Sequence, residues 1–424
     1  MGHNSLRQSR LFGPTLREAP RNELSINARL LEQAGYIAKL MSGVYSYLPL
    51  GWLVLDKINA IIREEMASVD AQELSLPALH PKEIWEETGR WKDGADIMYQ
   101  FHDHSNKEFG LGWTHEEIIT SIARTRIRSY RDLPKAVFQI QTKFRNEPRA
   151  KSGLIRCREF LMKDLYSFHA TEEDLDVYYE QVKAAYGRIF ERCGLVARIF
   201  EASGGAFTKK FSHEFQVLCS AGEDSVLYCP ECDFAQNSEI SRLKPKEACP
   251  NCSAPVQIST GVEVGNIFKL GTKFSEAMKA EYVNERGEKN PIIMASYGIG
   301  PGRVLGTIVE VHHDADGICW PLSVAPFTAH LLCLSDSPET ISHADSVYAK
   351  LQENGVSTLY DDRSETAGVK LADADLIGVP FRIVLSKRTQ SDVEIKQRTG
   401  TDAKVMSIDK AIRFINDLTD KNHV

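Results

Sequence analysis

Apolar residues recur at helical spacing between residues 53 and 66. The positions that share one face of such a helix are Val54, Ile58, Ile61 and Ile62. They follow a Pro-Leu-Gly turn, which is a suitable place for a helix to begin. The pattern therefore predicts an amphipathic helix that buries its apolar face.

A second helix and two strands are predicted near the middle of the chain. The helix covers 171–192, because Thr171 can cap its first turn and Gly194 follows its end. The segments 136–144 and 292–298 alternate or run apolar with β-branched residues, which is typical of strands. This combination indicates an α+β domain in which helices flank an antiparallel sheet.

A different pattern begins after a break near Pro321–Pro326. Strand-like and helix-like segments alternate there, in the order 329–335, 337–354, 356–361, 368–377 and 381–386. The first of these helices is well delimited, with Ser337 at its N-cap, Pro338 in its first turn and Gly355 after its end. Repeated strand–helix units imply a compact α/β sheet domain with right-handed crossovers.

Composition narrows the possible classes of protein. The chain has 424 residues, of which 42% are hydrophobic and 26% charged, as in soluble globular proteins of two or three domains. A net charge of −7 argues against a protein that coats nucleic acid nonspecifically, although a local basic face can still bind phosphates. No run of about 18 apolar residues suggests a membrane span. The N-terminus lacks the apolar core of a secretory signal, but its three arginines leave an organelle-transit segment open.

Four of the nine cysteines have the spacing of a metal site. CPEC at 229–232 and CPNC at 249–252 form a C-x2-C-x16-C-x2-C pattern, and the other five cysteines have no such company. We predict that Cys229, Cys232, Cys249 and Cys252 hold a structural Zn²⁺, because four thiolates leave no open position for catalysis. The alternatives are two unrelated turns with free thiols, or a redox pair.

Two arginine-bearing stretches indicate a polyanion site. TKFRNEPRAKSGLIRCREFLMKD (142–164) contains Arg145, Glu147 and then Arg156, Phe160 and Asp164 at four-residue intervals, and SYGIGPGR (296–303) ends in Arg303. Guanidinium groups grip phosphate oxygens, and a flat aromatic ring can cover a base, so the pattern predicts a nucleoside triphosphate site. The alternative is a basic, solvated hairpin. A dinucleotide site is excluded because Arg303 occupies the position of the third spaced glycine, and the chain has no P-loop sequence.

These stretches resemble the signature motifs of the class II aminoacyl-tRNA synthetases. The stretch 142–164 resembles their motif 2, an fRxE sequence followed by R-x3-F-x3-D, and SYGIGPGR resembles their motif 3. GVYSYLPLGWLVLDKINAIIREEM (43–66) resembles their motif 1, with Pro49 as its characteristic proline.

Within that class the chain is similar to prolyl-tRNA synthetases of the bacterial type. The segments that carry this likeness span nearly the whole chain: WTHEEI (113–118), FQIQTKFRNEPR (138–149), REFLMKDLYSFH (158–169), SHEFQVL (212–218), GVEVGNIFKLGTKFSEA (261–277) and DDRSETAGVKLADADLIGVP (361–380). The resemblance implies activation of L-proline by ATP and Mg²⁺ to prolyl-adenylate, followed by transfer to the 3′ end of tRNA(Pro).

The resemblance also implies the residues of an ATP site. They are Arg145, Glu147, Arg156, Phe160, Gln216, Gly300 and Arg303. Arg145 would contact the α-phosphate and the proline carboxylate, and Arg303 the γ-phosphate, which makes these two arginines the catalytic pair. Glu147 would contact the adenine amino group, and Phe160 would stack on the adenine. The Mg²⁺ ligands are left open among Glu214, Gln216 and Glu263.

A proline site is implied beside the ATP site. Its residues are Thr114, Glu116, Arg145, Met162, Asp164, Tyr166 and His213. A carboxylate at Glu116 can accept both hydrogens of the proline iminium group, as a charge-assisted bond that a neutral residue matches less well. The alternative for THEEI is a helix start with Thr114 as its N-cap.

Domain organisation and partners follow from the same resemblance. We predict a class II catalytic domain over 1–325, with a zinc-knuckle insert at about 226–258, and an anticodon-binding domain over 326–424. Arg363, Glu365 and Lys370 would contact the anticodon, since such side chains pair with guanine edges. The resemblance further implies a cytoplasmic homodimer formed through motif 1.

The spacing between two of these segments is short. About forty residues separate HEFQVL from GVEVGNIF, and the cysteines occupy much of that interval. The large editing insertion that many bacterial relatives carry there cannot fit. A pocket for proline excludes a smaller side chain by only about 1–3 kcal/mol per methylene, so a separate editing protein would have to clear mischarged tRNA.

Two departures from the family pattern concern the proline pocket. Lys209 and Lys210 replace the glycine pair that usually precedes SHEF, and Trp113 replaces a proline. Neither change removes a catalytic group.

Three alternative functions for the chain remain: a threonyl-like or other class IIa synthetase, a non-catalytic paralogue that binds tRNA, and a zinc-ribbon nucleic-acid binder. The last is disfavoured because the cysteine segment is under a tenth of the chain.

Overall fold

The structure is a computed structural model that describes residues 6–20, 23–150, 152–205, 207–208 and 211–421. Lys209 and Lys210, the departure noted before SHEF, lie outside the described residues. The helices are α1 (Ile26–Gln33), α2 (Pro49–Ala67), α3 (Lys82–Glu86), α4 (Arg90–Asp93), α5 (Glu116–Arg126), α6 (Glu172–Arg192), α7 (Lys273–Ala277), α8 (Pro301–Val311), α9 (Pro338–Glu353), α10 (Ala367–Ile377) and α11 (Ile408–Lys421). Among the described residues, none of the helices has the length and apolarity to cross a membrane.

The strands are short at the edges of the sheets and long at the centre. In the first half of the chain they are β1 (Leu6–Arg7), β2 (Ile37–Met41), β3 (Val44–Tyr47), β4 (Gln72–Glu73), β5 (Leu79–Pro81), β6 (Gln100–His102), β7 (Glu108–Leu111), β8 (Lys135–Phe144), β9 (Glu159–His169), β10 (Ala197–Ser203) and β11 (Phe211–Leu218). In the second half they are β12 (Asp224–Tyr228), β13 (Ala235–Asn237), β14 (Gln257–Gly271), β15 (Glu281–Val283), β16 (Lys289–Pro291), β17 (Ile293–Ile299), β18 (Ala329–Cys333), β19 (Thr358–Asp361), β20 (Phe381–Leu385), β21 (Val393–Gln397) and β22 (Lys404–Met406).

The described residues divide into two compact units. The central unit contains 41–44 and 59–307, and the C-terminal unit contains 308–424 together with the segments 1–40 and 45–58. The described residues from 6 to 40 are thus part of the C-terminal unit. This grouping differs from the division into 1–325 and 326–424, which stays a prediction about functional domains.

The central unit is built on a sheet with the order β11-β10-β13-β12-β14-β17-β9-β8-β4, and β11 also pairs with β14. The long strands β14, β17, β9 and β8 are antiparallel to one another, as the alternating segments predict, and the short edge strand β4 pairs in parallel with β8. Helix α6 buries Leu175, Tyr179, Val182, Tyr186 and Ile189, and its packing contacts are with β9, β10, β14 and β17. The predicted α+β class is confirmed for this unit.

The ends of α6 and of the strands agree with the sequence signals. The Thr171 hydroxyl accepts a hydrogen bond from the Asp174 backbone N–H at 3.2 Å, which satisfies one of the free donors of the first turn. Gly194 adopts a φ of 77°, which ends the helix. The segments predicted as strands at 136–144 and 292–298 are β8 and β17.

The C-terminal unit contains a sheet with the order β1-β19-β18-β20-β21-β22. Its four strands β1, β19, β18 and β20 are parallel, and β21 and β22 add an antiparallel edge. The α/β alternation is therefore confirmed, including the cap at Ser337, whose hydroxyl accepts from the Thr340 backbone at 3.2 Å. No local sequence pattern indicates β1, whose two residues pair with β19 more than 350 positions away.

Candidate active site

A cavity of about 440 Å³ opens on the central unit, beside strands β9, β14 and β17. It brings together eleven of the residues that the sequence assigned to the ATP and proline sites: Thr114, Glu116, Arg145, Glu147, Arg156, Phe160, Met162, Asp164, Tyr166, Gly300 and Arg303. Their assembly has a simple geometric cause. Alternate residues of a strand face the same side, so the even positions 160–166 of β9 all reach the cavity.

Arg145 is one of the cationic residues that line the cavity. It follows the last residue of β8, and its guanidinium carbon is 5.3 Å from the centre of the Phe160 ring on β9. Its Nε donates to the Trp113 carbonyl oxygen at 3.4 Å. Burial lowers the pKa of this guanidinium, and Arg303 lowers it further, whereas Glu263 and other carboxylates oppose the shift. Two cationic groups thus share one partly desolvated cavity, which suits a polyanionic ligand.

Arg303 is fixed by the turn that begins α8. Its Nε donates to the Ile155 carbonyl oxygen at 2.9 Å, and its Nη1 donates to the Glu263 carbonyl oxygen at 2.7 Å and to Glu263 Oε2 at 3.1 Å. These bonds hold the side chain across the cavity wall. Gly300 stands at the start of the same turn, where an added Cβ would meet only Arg303 Cβ, at 3.4 Å. The space beside Gly300 is therefore open toward the cavity.

Glu147 and Arg156 form one rim of the cavity. Arg156 Nε lies 3.0 Å from Glu147 Oε2, and its Nη1 pairs with Glu223. The Ser152 hydroxyl also donates to Glu223, at 2.6 Å. The loop between β8 and β9 is thereby held to the segment before β12 by a chain of charged groups.

Glu116 also lines the cavity and is almost completely buried. It accepts a hydrogen bond from the Thr114 hydroxyl at 2.6 Å and pairs with Arg90 Nη1 at 3.3 Å. Arg90 also pairs with Glu117 at 3.0 Å, and it is buried among aromatic rings, the nearest of which is Trp113 at 4.6 Å. The buried arginine thus fixes the carboxylate of Glu116. The sequence analysis missed Arg90, because an isolated arginine in GRW carries no spacing signal.

Asp164 lines the cavity and accepts hydrogen bonds from three neighbouring side chains. It accepts hydrogen bonds from Lys143 Nζ at 2.7 Å, from Gln139 Nε2 at 2.9 Å and from Tyr166 Oη at 2.9 Å. Burial lowers the pKa of the Lys143 ammonium, and the Asp164 carboxylate opposes that shift. Gln139 is the direct partner of Asp164 in the β8–β9 register, so strand pairing could have identified it. These bonds make Asp164 a group that orients its neighbours.

An acidic cluster lies beside Arg303, through the carboxylate of Glu263. Gln216 Nε2 donates to Glu214 Oε2 at 2.9 Å and to Asp224 Oδ2 at 3.0 Å, and Asn266 Nδ2 donates to Glu263 Oε1 at 2.8 Å. Burial, followed by the Glu263 carboxylate, raises the pKa of the Glu214 carboxyl to about 7. In the described structure, Gln216 Oε1 and Asn266 Oδ1 are buried and accept no hydrogen bond. The cluster therefore offers oxygen ligands of the kind that Mg²⁺ prefers.

Two residues assigned to the site lie outside the cavity lining. Gln216 is completely buried, but it contacts Asp224, which does line the cavity. The structure corrects the position of His213: its Nδ1 contacts Tyr179 Oη at 2.7 Å, under helix α6. Glu214 and Gln216 share the face of β11 from which Gln216 reaches Asp224, whereas His213, the residue before Glu214, projects from the opposite face and is absent from the cavity lining. His213 is therefore not placed where it could bind proline directly.

The four clustered cysteines meet at one point in the central unit. Their Sγ atoms all lie within 4.8 Å of one another, with 3.4 Å between Cys229 and Cys252 and 3.6 Å between Cys232 and Cys249. Four sulfurs at about 2.3 Å from a tetrahedral Zn²⁺ lie about 3.8 Å apart, which is close to this spacing. Backbone N–H groups two residues after Cys229 and after Cys249 point at these sulfurs, at 3.4 Å each. The donor set fits zinc.

Arg198, which lies outside the cluster, binds the backbone of the first cysteine hairpin. Arg198 Nη2 donates to the Cys229 carbonyl oxygen at 2.7 Å and also reaches the Cys232 carbonyl oxygen. Its guanidinium carbon lies 5.2 Å from the centre of the Tyr228 ring. The hairpin is therefore attached to β10 of the main sheet.

The three residues assigned to the anticodon lie at the end of β19 and on α10, in the C-terminal unit. Glu365 is exposed, and Arg363 is partly exposed with its Nη2 paired to Asp361 at 2.7 Å and Asp373 at 2.8 Å. The position of Lys370 differs from the prediction that all three residues face the anticodon. It is 4% exposed, and its ammonium donates to the Cys333 carbonyl oxygen at 2.8 Å. Position on α10 explains this, because Lys370 faces the sheet.

Two family models match the chain. A tRNA synthetase class II core domain (G, H, P, S and T) matches residues 99–312, and an anticodon binding domain matches residues 323–418. A proline–tRNA ligase of Halothermothrix orenii is 33% identical to the chain over 564 residues, which cover 97% of this chain and 99% of that protein. The aligned length exceeds the 424 residues of this chain by 140, so at least 140 residues of the relative have no counterpart here.

Two solved structures share the fold. A prolyl-tRNA synthetase of Cryptosporidium parvum, complexed with halofuginone and AMPPNP, has a TM-score of 0.78 at 19% identity and covers 93% of this chain and 77% of its own. A Giardia lamblia prolyl-tRNA synthetase in complex with prolyl-adenylate has a TM-score of 0.77 at 20% identity and covers 93% and 78%. At these identities the likeness shows the fold.

Proposed function

The chain belongs to the family of proline–tRNA ligases, and we propose that it activates L-proline with ATP and transfers the prolyl group to the 3′ end of tRNA(Pro). The observation that carries this proposal is the single cavity that joins Arg145, Arg303 and Phe160 to a buried carboxylate at Glu116. One end of the cavity suits a nucleoside triphosphate. The other end suits a small cationic group.

The activation step needs charge stabilisation more than proton transfer. A carboxylate oxygen of proline attacks the α-phosphorus of ATP, and the bond from that phosphorus to the pyrophosphate oxygen breaks. The nucleophile is already an anion, so the reaction requires no general base. Arg145 would hold the α-phosphate and the proline carboxylate together, and Arg303 would hold the γ-phosphate. Phe160 would stack on adenine, with Glu147 and Arg156 beside it.

Specificity for proline is assigned to the other end of the cavity. The Glu116 carboxylate would accept both N–H bonds of the proline iminium group, and Thr114 orients that carboxylate. Met162 and Tyr166 would contact the ring. Asp164 acts through Tyr166, whose hydroxyl also accepts from the His115 backbone N–H at 3.2 Å.

The acidic cluster is proposed to hold Mg²⁺. The role is assigned to Glu214, Gln216 and Glu263, because they offer carboxylate and amide oxygens. In the described structure the buried Gln216 Oε1 accepts no hydrogen bond, so it is available to a metal ion. Bound Mg²⁺ would neutralise charge on the triphosphate and the leaving pyrophosphate.

The cysteine cluster is proposed to hold a structural Zn²⁺. We expect one zinc per chain in the purified protein, and we expect Cys249→Ser to lose most of it, because a three-thiolate site with one hydroxyl binds zinc far less tightly. Inductively coupled plasma mass spectrometry measures the metal content. Cys319→Ser is the control, since that thiol lies outside the cluster, and an equal zinc loss in both variants would contradict the assignment.

Binding of tRNA is proposed for the C-terminal unit, which contains the anticodon-binding match. Glu365 and Arg363 are the groups proposed to contact bases of the anticodon, because they lie on the partly exposed loop after β19. Lys370 would support the loop from inside through the Cys333 carbonyl.

Dimerisation is proposed to use the motif 1 segment. Trp52 on α2 is 54% exposed, and Phe12, Leu24 and Leu40, which precede it in the same unit, are more exposed still. Exposed apolar groups of this size favour a protein partner. Sedimentation of the protein as a single 47.6-kDa species would contradict a dimer.

Editing and location are further proposals from the family. The residues of the relative that have no counterpart here support the view that a separate protein hydrolyses mischarged tRNA. Hydrolysis of Ala-tRNA(Pro) by this chain alone would overturn that view.

All nine cysteines lie in the described part of the chain and none forms a disulfide, which supports a reducing cytoplasm. Recovery of the protein in an oxidising compartment would contradict that location.

Charging of tRNA tests the whole proposal. Purified protein, ATP, Mg²⁺ and labelled proline are incubated with a tRNA(Pro) transcript, and acid-precipitable label is counted. Proline should be attached to tRNA(Pro) and not to tRNA(Thr). Preference for threonine and tRNA(Thr) would move the chain to the threonyl-like alternative.

A further inference from the structure

The N-terminal arm, defined here as residues 6–10, is built into the sheet of the C-terminal unit. Leu6 and Arg7 form β1 and pair in parallel with Leu359 and Tyr360 of β19. The next three residues form a 3-10 turn. The arm therefore runs alongside β19 and reaches the point at which that strand ends.

The arm binds Asp362, the first residue after β19. Ser9 donates from its backbone N–H to Asp362 Oδ1 at 3.0 Å and from its hydroxyl to Asp362 Oδ2 at 2.8 Å. Arg7 Nη1 lies 3.4 Å from the same Oδ2. Both oxygens of this carboxylate are thus engaged by the arm.

The arm is itself anchored at two further points. Arg7 Nη2 pairs with Asp345 of α9 at 2.8 Å, and the guanidinium carbon lies 4.9 Å from the centre of the Tyr360 ring. Gln8 is buried, and its Oε1 contacts His330 Nε2 at 2.9 Å on β18. Because these contacts hold the arm in place without Asp362, the arm can restrain the position of Asp362.

Asp362 occupies a sensitive position in the loop 361–366, which links β19 to α10. The preceding residue, Asp361, binds Arg363 through Oδ1 to Nε at 2.9 Å and through Oδ2 to Nη2 at 2.7 Å. Thr366 ends the loop by capping α10. Two consecutive aspartates therefore secure the loop: Asp361 from within it, and Asp362 through the N-terminal arm.

We propose that Arg7 and Ser9 are positioning residues for tRNA recognition, which hold the loop 361–366 in the conformation that presents Arg363 and Glu365. This inference rests on the anticodon role proposed above for that loop. The physical reason is preorganisation, because a loop that is ordered before tRNA arrives does not lose that conformational freedom on binding.

The test compares two reactions of the full-length protein. Proline-dependent ATP–pyrophosphate exchange needs no tRNA, whereas tRNA charging does. In Arg7→Gln the KM for tRNA(Pro) should rise roughly tenfold, the effect of losing one charge-assisted hydrogen bond, while exchange stays unchanged. Ser9→Ala should give a smaller rise of the same kind, and Ser9→Thr, which keeps the hydroxyl, should restore the wild-type KM. Combining Arg7→Gln with Asp362→Asn should add little to either single change.

Arg10→Ala is the matched control. Arg10 is an exposed arginine of the same arm with no ion pair to the loop in the described structure. If the arm contacted tRNA phosphates directly, Arg10→Ala would raise the KM as Arg7→Gln does, and both would reduce the salt dependence of tRNA binding. That outcome would overturn the positioning role.

The remaining outcomes separate this inference from the function on which it rests. Unchanged KM in Arg7→Gln, with normal charging by the wild type, would overturn the inference alone. Equal losses in exchange and charging would show a purely structural arm and would also overturn it. Wild-type protein that exchanges pyrophosphate with proline but cannot charge tRNA(Pro) would overturn the charging function and the inference together.

Discussion

Replacement of Arg145 by alanine is expected to lower the rate of proline-dependent ATP–pyrophosphate exchange by on the order of 10²–10³-fold. Arg145 lines the cavity, with its guanidinium carbon 5.3 Å from the centre of the Phe160 ring, and it is the residue that we propose to hold both the α-phosphate and the attacking carboxylate. Charge that develops on the phosphate oxygens in the transition state would lose its nearest partner. The loss should appear in kcat as well as in kcat/KM.

Two further variants separate this role from general positive charge. Arg145→Lys keeps the charge but loses the planar fork that binds two oxygens at once, so most of the loss should remain. Arg126→Ala removes an exposed arginine at the end of α5 and should exchange pyrophosphate at the wild-type rate. Thermal unfolding of each variant is recorded alongside, and full activity in a folded Arg145→Ala protein would remove Arg145 from the chemistry.

Glu116→Gln is expected to raise the KM for proline roughly 10–100-fold, with a smaller effect on the KM for ATP. The estimate follows from the loss of about 1.5–3 kcal/mol when a hydrogen bond to a charged group is replaced by a neutral one. The buried Arg90 guanidinium also loses one of its two carboxylate partners, which weakens the orientation of the site. Exchange kinetics at varied proline and fixed ATP measure the effect.

The neighbouring Glu117 provides the matched control. It is buried in the same helix start and binds Arg90 and Thr88, but it does not line the cavity. Burial raises the pKa of its carboxyl to about 7, against the opposing effect of Arg90, so near neutral pH part of the population is already uncharged. Glu117→Gln should therefore change the KM for proline little. A similar rise in both variants would mean that Glu116 acts through Arg90 rather than on proline.

Local patterns explain why much of the cavity could be predicted from the sequence. Strand alternation fixes the side on which Phe160, Met162 and Tyr166 project, once β9 is recognised. Arg145 is the residue that directly follows β8, so its place in the fold can be predicted as soon as that strand is recognised. The cysteine pairs behave in the same way, since each CxxC hairpin places its own two sulfurs.

The corrections arise where the outcome depends on which face a strand or helix turns toward its neighbours. His213 lies in the correct segment but on the side of β11 that faces Tyr179, and no local pattern distinguishes the two faces of a strand buried on both sides. Lys370 lies in the correct helix but on its buried face. Arg90 and the arm residues Arg7 and Ser9 were missed because their partners are distant in the sequence, and such pairings leave no spacing signal.

Proline-dependent ATP–pyrophosphate exchange across a panel of amino acids tests the central claim most directly. The purified protein is assayed with each amino acid in turn, and Arg145→Ala serves as the inactive reference. Exchange driven best by proline, and lost in that variant, is the result that the account predicts. Exchange driven best by another amino acid, or no exchange from folded protein, would contradict it.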